Sequence, residues 1–109
     1  MRIPPGLEAP RRARDAVIAR LGAQLGREVA HDVRVVVSEL VADCVRRRPD
    51  REVELEAGVV GDRVLITVSH PGDPPTGLSL LVVERLVRSW GVACDGAGRS
   101  RVWCELALS

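Results

Sequence analysis

The sequence predicts an α+β fold, a two-layer sandwich in which a mostly antiparallel sheet of about four or five strands is covered on one face by three helices. Changes of hydrophobic period support this prediction: apolar residues first recur at helical spacing, then alternate with polar ones, then repeat both patterns. The 109 residues have the usual length of one domain. Residues 1–109 are therefore predicted to form a single domain, with 1–10 as a short lead-in.

Three helices are predicted from the spacing of apolar residues. The first covers about residues 11–25, and Gly26 separates it from the second, which covers about 29–47 and stops before Pro49. The third covers about 80–90 and ends at Gly91. Residues 46–48 are three arginines at the C-terminal end of the second helix, where cations favour the helix dipole. We interpret this triplet as a solvated cap.

The strands are predicted where the period changes to two. Alternating residues in 53–59 and 64–68 flank Gly61-Asp62 and predict a hairpin with one buried face. A proline-rich surface loop follows at 70–77, and two last strands are predicted at about 91–95 and 101–108. The lead-in contains three prolines and is at best a short edge strand. The residues expected to be largely buried are Val36, Val37, Leu40, Val64, Ile66, Val68, Leu86 and Trp103, with Trp103 excepted if its strand is an edge.

Composition excludes several classes of function. The chain has no Phe or Tyr and two Trp, which counts against the aromatic platforms of single-strand nucleic-acid binders. Its 16 basic and 15 acidic residues leave a net charge of +1, so no nucleic-acid or membrane partner is expected. No apolar run is long enough to span a membrane and no leader is evident, so a cytoplasmic location is the simplest expectation.

The three cysteines lack the paired spacing of zinc sites. We expect free thiols, because nothing in the sequence suggests secretion. Cys94 and Cys104 could face each other across a hairpin, but a disulfide between neighbouring strands is usually strained.

Few residues are candidates for chemistry. Glu39 and Asp43 lie four positions apart and share one helix face, where two acids can serve a divalent cation or a general base, although such pairs are more often solvent-facing. His70 ends a strand and opens the proline-rich loop, as a ligand or as a satisfied polar edge. Gly72 and Gly77 could let the backbone approach a phosphate, or could simply form turns.

Three segments in the same order resemble the ATP-binding anti-sigma-factor (RsbW-like serine/threonine kinase) family of the histidine-kinase-like, or GHKL, ATPase superfamily. Residues 35–46 are similar to its helix motif of Ser-Glu-Leu-Val, a variable residue, Asn, a small residue, Val and Arg. Residues 77–91 resemble its glycine-led helix with a Trp-Gly close, and 102–106 resemble its last strand. The resemblance covers about residues 12–106 and implies the Bergerat-type fold shared with Hsp90, gyrase and sensor kinases.

The resemblance implies a nucleotide site whose residues depart from the family pattern. Glu39 matches the family's general base. Asp43 stands where the family has the Asn that binds magnesium, and its added charge beside a triphosphate should weaken binding. His70 stands where the family has an Asp that accepts the adenine amino hydrogen, and the glycine pair spaced after that Asp is incomplete, with Gly72 alone.

The phosphate and lid segments depart from the pattern as well. The Gly pair under the phosphates appears as Gly77, Leu78 and Ser79. Gly77 lies only seven positions after His70, so the lid that closes over ATP is nearly absent. The site is therefore a degenerate nucleotide site, with Asp43 a weak metal ligand.

The departures predict little or no ATP use, and the resemblance implies a regulatory protein that binds a protein partner, a sigma factor or an anti-anti-sigma factor. No cofactor is expected to bind tightly, although the resemblance implies ATP and magnesium, and it also implies a homodimer. The alternative is an ATP-dependent serine/threonine kinase acting on an anti-anti-sigma factor, with Glu39 as base. A third reading is a structural subunit of a larger assembly.

Overall fold

A computed structural model describes residues 1–75 and 77–108. Within those residues the chain forms five strands and three α-helices, with a short 3-10 turn after the first helix. The elements in chain order are β1 (Arg2–Ile3), α1 (Ala9–Leu21), the 3-10 turn (Gly22–Gln24), α2 (Arg27–Arg47), β2 (Val53–Val60), β3 (Arg63–Pro71), α3 (Leu78–Leu86), β4 (Ser89–Cys94) and β5 (Arg99–Ala107).

The described strands form one antiparallel sheet in the order β1-β2-β3-β5-β4. The β2–β3 hairpin turns at Gly61, whose φ of 61° lies in the left-handed region that glycine adopts without strain. The lead-in contributes β1 at one edge of the sheet, which agrees with the prediction that it is at best a short edge strand. The predicted α+β fold class is confirmed.

One face of the sheet is buried beneath the helices. Helix α1 packs against β1 and β2, α2 against β3 and β5, and α3 against α2 and β4. On β2 the side chains alternate, with Val53 and Leu55 fully buried and Glu54 and Glu56 exposed on the opposite, open face. The predicted core residues that are buried as expected are Val36, Val37, Leu40, Val64, Ile66 and Val68.

Two helices end earlier than the sequence predicts. Helix α1 ends at Leu21, and the last turn predicted for it is the 3-10 turn. Helix α3 ends at Leu86, because Val87 takes an extended conformation (φ −104°, ψ 156°) that leads into β4. Trp90, predicted to be helical, lies in β4 opposite Cys104. The prediction that Trp90 continues the third helix is therefore wrong.

Trp103 is the core prediction that the structure contradicts. Its side chain is 41% exposed because it points to the open face of β5, which is the second strand from the edge and not an edge strand. Its indole lies over Gly91 of β4, where an added Cβ would come within 2.6 Å of the ring. Leu86 packs against the core but is only partly buried.

All three cysteines are free thiols, as predicted. Cys94 is exposed and lies opposite Ser100, whereas Cys104 lies opposite Trp90, so the hairpin does not bring the two thiols face to face. Burial raises the pKa of the Cys44 thiol to about 11 and that of Cys104 to about 12. In the described part of the chain, no helix has the length and apolar character needed to cross a membrane.

Candidate functional site

The predicted acids lie on successive turns of α2, in unequal surroundings. Glu39 is half-buried, and its carboxylate makes no ion pair or hydrogen bond within the described residues. Asp43, one turn later, is only 6% exposed and is counted among the buried residues of the helix. A buried carboxylate needs a partner, because an isolated buried charge is very costly.

Two arginines of the same helix supply that partner. The Nε of Arg47 donates to Oδ2 of Asp43 at 2.8 Å, and Nη2 of Arg46 lies 3.6 Å from Oδ1. The Arg47 side chain is 27% exposed and that of Arg46 is 61% exposed. Arg47 is therefore the stronger partner, because its shorter contact is better shielded from water.

The same arginines also tie α2 to the segment that follows β3. Arg47 donates through Nη1 to the carbonyl oxygen of Asp73, and Arg46 donates through Nη2 to the hydroxyl of Ser79 at 3.2 Å. Ser79 lies in the first turn of α3 and is 2% exposed. We call Arg46 and Arg47 the arginine clamp. It joins predicted site residues on α2 and α3 and anchors the loop between β3 and α3.

His70 lies at the inner face of β3, one residue before the strand ends. It is 1% exposed, and neither ring nitrogen makes a hydrogen bond within the described residues. Burial lowers the pKa of this imidazole, and the positive charge of Arg47 lowers it further. A weaker interaction with the backbone of Arg51 acts in the opposite direction. The ring is therefore neutral at pH 7.

The two glycines form turns that require positive φ. Gly72 has φ +104°, and its N–H donates to the carbonyl of Gly98 at 2.8 Å, which ties the loop to the β4–β5 hairpin. Gly77 has φ +78° and precedes the first residue of α3. Both positions disfavour any residue with a Cβ. Turn geometry accounts for both glycines without a phosphate.

A small open cavity of about 410 Å³ adjoins the clamp, lined by Arg47, Arg48, Gly72 and Asp73. Within residues 1–75 and 77–108 no group of three or more His, Cys, Asp or Glu side chains could hold a metal ion. Another concavity of about 400 Å³ lies partly on the open sheet face near Glu54 and Arg101, and none of the predicted site residues line it.

The interpretation of residues 46–48 as a solvated cap is wrong for Arg47, whose guanidinium is mostly shielded and bonded to Asp43. The clamp is the part of the site that the sequence prediction missed. Its signal was present in the spacing, because Asp43 and Arg47 stand four positions apart on one helix, where opposite charges meet. The contacts of the clamp with Asp73 and Ser79 depend on tertiary packing.

The fold is similar to the NMR structure of the histidine kinase domain of the E. coli osmosensor EnvZ, with a TM-score of 0.55 and 14% identity. The similarity covers 100% of this chain and 91% of that one. No protein-family model and no curated protein matches the sequence. The chain thus has the histidine-kinase-like ATPase fold, of the GHKL type, as the superfamily resemblance implied.

Proposed function

We propose that this chain is an anti-sigma-factor-like regulatory protein that binds a protein partner and makes little or no use of ATP. The observation that carries the proposal is the ion pair between Arg47 and Asp43, 2.8 Å long and largely buried. The carboxylate that stands at the family's magnesium position is already occupied by a side chain of its own helix.

Magnesium fits this site poorly. The ion binds oxygen ligands at about 2.0–2.1 Å in near-octahedral geometry and holds several waters. To reach Asp43 it would have to displace Arg47 from Oδ2 and would then face both guanidinium groups of the clamp at close range. Repulsion between the cations and the loss of the Arg47 contact with Asp73 both oppose binding.

Adenine recognition is weakened because the imidazole of His70 is neutral and buried. A neutral imidazole has one acceptor nitrogen, whereas a carboxylate accepts several hydrogen bonds. The ring is also packed into the core beneath the sheet end, so an adenine amino group would have to enter a region that is 1% exposed. A nucleotide base left without its partner there would lose about 1–3 kcal/mol of binding free energy.

The partner follows from the resemblance, which implies a sigma factor or an anti-anti-sigma factor. The near-neutral net charge of +1 supports a protein partner over a nucleic acid. The alternative function, a serine/threonine kinase acting on an anti-anti-sigma factor, is favoured by one observation. The carboxylate of Glu39 has no partner among the described residues and would be available as a base.

Calorimetric titration of the chain with ATP, with and without magnesium, tests the proposal. The unmodified protein should show no tight site, because metal and adenine contacts are both impaired. Since these contacts serve one ligand, Asp43→Asn combined with His70→Asp should recover more affinity than either change alone. Adding Arg47→Met to that pair should raise affinity again by opening the clamp.

Submicromolar, magnesium-dependent ATP binding by the unmodified protein would refute the proposal. Phosphate transfer that is abolished by Glu39→Ala would establish the kinase instead. Glu28→Ala, which removes an exposed carboxylate near the other end of α2, is the matched control and should leave any transfer unchanged.

A further inference from the structure

The open face of the sheet carries a cavity that none of the predicted nucleotide-site residues lines. One row of paired residues crosses it, from Glu54 on β2 through Ser69 on β3 and Arg101 on β5 to Ala93 on β4. Long and short side chains alternate along this row, so the surface is depressed at Ser69 and Ala93. The cavity has a volume of about 400 Å³, which lies within the range of small-molecule sites.

The basic side of this cavity has hydrogen-bond donors that the protein does not use. Nη2 of Arg99 is buried and makes no hydrogen bond within the described residues. Its ion-pair partner, Oε2 of Glu54, is 3.8 Å away, which is too long for a hydrogen bond. Arg101 forms no ion pair within residues 1–75 and 77–108. Two guanidinium groups of β5 can therefore donate to a carboxylate, which this group binds in bidentate geometry.

Other polar groups around the cavity are engaged in holding the fold. Oδ1 of Asp95 accepts hydrogen bonds from the N–H groups of Ala97 and Arg99, at 2.8 and 3.0 Å, and so fixes the turn between β4 and β5. The hydroxyl of Ser100 donates to two carbonyl oxygens near the end of β3, at 3.3 and 3.4 Å. These contacts make the cavity wall rigid and leave the arginine side chains of β5 free to bind.

The acidic side of the cavity lies two strands away, on β2. A smaller hollow of about 190 Å³ shares Glu54, Ser69 and Arg101 with the cavity and adds Glu56 and Thr67. Both glutamates are exposed on the open face. Neighbouring strands lie about 4.8 Å apart, so the backbones of β2 and β5 are about 10 Å apart. Negative charge on β2 is thus separated from positive charge on β5 by the neutral side chains of β3.

We propose that this cavity binds a small zwitterion, a short peptide with a free amino end and a free carboxyl end. Its carboxylate contacts Arg99 and Arg101, and its ammonium group contacts Glu54 and Glu56. Three residues of extended peptide span about 10 Å, which matches the separation of the two charged strands. A multiply charged anion fits less well, because the acids of β2 would repel it.

The ion pair between Glu54 and Arg99 does not by itself account for this surface. It leaves Arg101 and Glu56 without an ion pair among the described residues, although both line the same depression. The proposal is independent of the proposed function, because the arginine clamp and His70 lie on the helix side of the sheet. Peptide binding and ATP binding are measured separately, so either proposal can fail alone.

Titration of the full chain with trialanine, followed by the NMR shifts of backbone amides, tests the proposal. Shifts at residues 54, 69, 93 and 101 should saturate below about 20 mM peptide. Trialanine amide lacks the carboxylate and N-acetyl-trialanine lacks the ammonium group, so each should bind at least about tenfold more weakly. Cys94 lines the cavity and is exposed, so saturating trialanine should also slow its alkylation.

Two variants assign the ends of the peptide to the two strands. Arg101→Gln should weaken trialanine binding at least about tenfold without further weakening trialanine amide, because the lost partner is the carboxylate. Glu54→Gln should weaken trialanine in the same way without further weakening the acetylated peptide. Matched controls are Arg63→Gln and Glu105→Gln, an ion pair on the same face outside the cavity, and both should bind like the parent.

The comparison of the three peptides uses the unmodified chain, so it does not depend on the folding of any variant. Shifts that do not saturate would overturn the proposal. So would equal affinity for the three peptides, a loss in the controls equal to that in the cavity variants, or alkylation of Cys94 that trialanine leaves unchanged.

Discussion

Arg47→Met would leave the buried Asp43 carboxylate with Arg46 as its remaining partner. Removing one member of a fully buried ion pair costs about 3–5 kcal/mol. The Arg47 side chain is 27% exposed and Arg46 stays 3.6 Å from the carboxylate, so the loss of this ion pair should cost less, about 2 kcal/mol of unfolding free energy. The lost hydrogen bond to the carbonyl of Asp73 adds about 1 kcal/mol. The expected total is about 3 kcal/mol.

Urea and thermal denaturation measure this loss, which corresponds to a fall in melting temperature of roughly 12–15 °C for a chain of this size. The double variant Asp43→Asn with Arg47→Met should lose only about 1 kcal/mol, because no buried charge is then left unpaired. Arg46→Met is the internal control. Its longer, more exposed contact with Asp43 should cost about 0.5 kcal/mol, and its lost hydrogen bond to the Ser79 hydroxyl should cost about 0.5 kcal/mol more. A loss below about 0.5 kcal/mol for Arg47→Met, or equal losses for the single and double variants, would refute the buried clamp.

Three further predictions concern the core and the sheet. Burial and the charge of Arg47 lower the pKa of His70 in the folded protein, so the unfolded chain binds more protons than the folded one as pH falls below about 6.5. The free energy of unfolding should therefore fall there. His70→Leu should flatten this pH dependence in urea titrations across pH 5–8. Gly91→Ala should displace the Trp103 indole, cost about 1 kcal/mol and shift the tryptophan fluorescence, an effect that vanishes in a Trp103→Ala background. Leu40→Ala and Ile66→Ala should each cost roughly 2–5 kcal/mol on denaturation, and losses under about 0.5 kcal/mol at both would contradict the core assignment.

The fold could be predicted because most elements have a single hydrophobic period. Alternation in β2 and β3, and the repeat of three and four in α2, each correspond to one buried face in the structure. The end of α3 could not be predicted in this way. Leu86, Val87 and Trp90 continue a helical spacing, and pairing of β4 with β5 decides the conformation. Short apolar runs are compatible with helix and strand.

The exposure of Trp103 could have been predicted by applying the alternation of faces strictly along β5. Val102, Cys104 and Leu106 are all buried, so alternation along β5 places Trp103 on the opposite face. The site is a different case. The sequence indicated Asp43, and its spacing of four positions from Arg47 could have indicated the partner that neutralises it. The contacts of Arg47 with Asp73 and of Arg46 with Ser79 could not be predicted, because they join residues that are 26 and 33 positions apart.

The three thiols lie in different surroundings, which thiol reagents can distinguish. Cys94 is exposed at the sheet edge, so alkylating reagents should modify it first and give a protein labelled at one position. Cys44 in α2 and Cys104 in β5 are buried and strongly protonated, so each reacts only after its surroundings open. With Cys94 replaced by Ser, alkylation rates at the other two report separately on opening of the helical layer and of the sheet. The chain therefore carries its own probes for the order in which its two layers unfold.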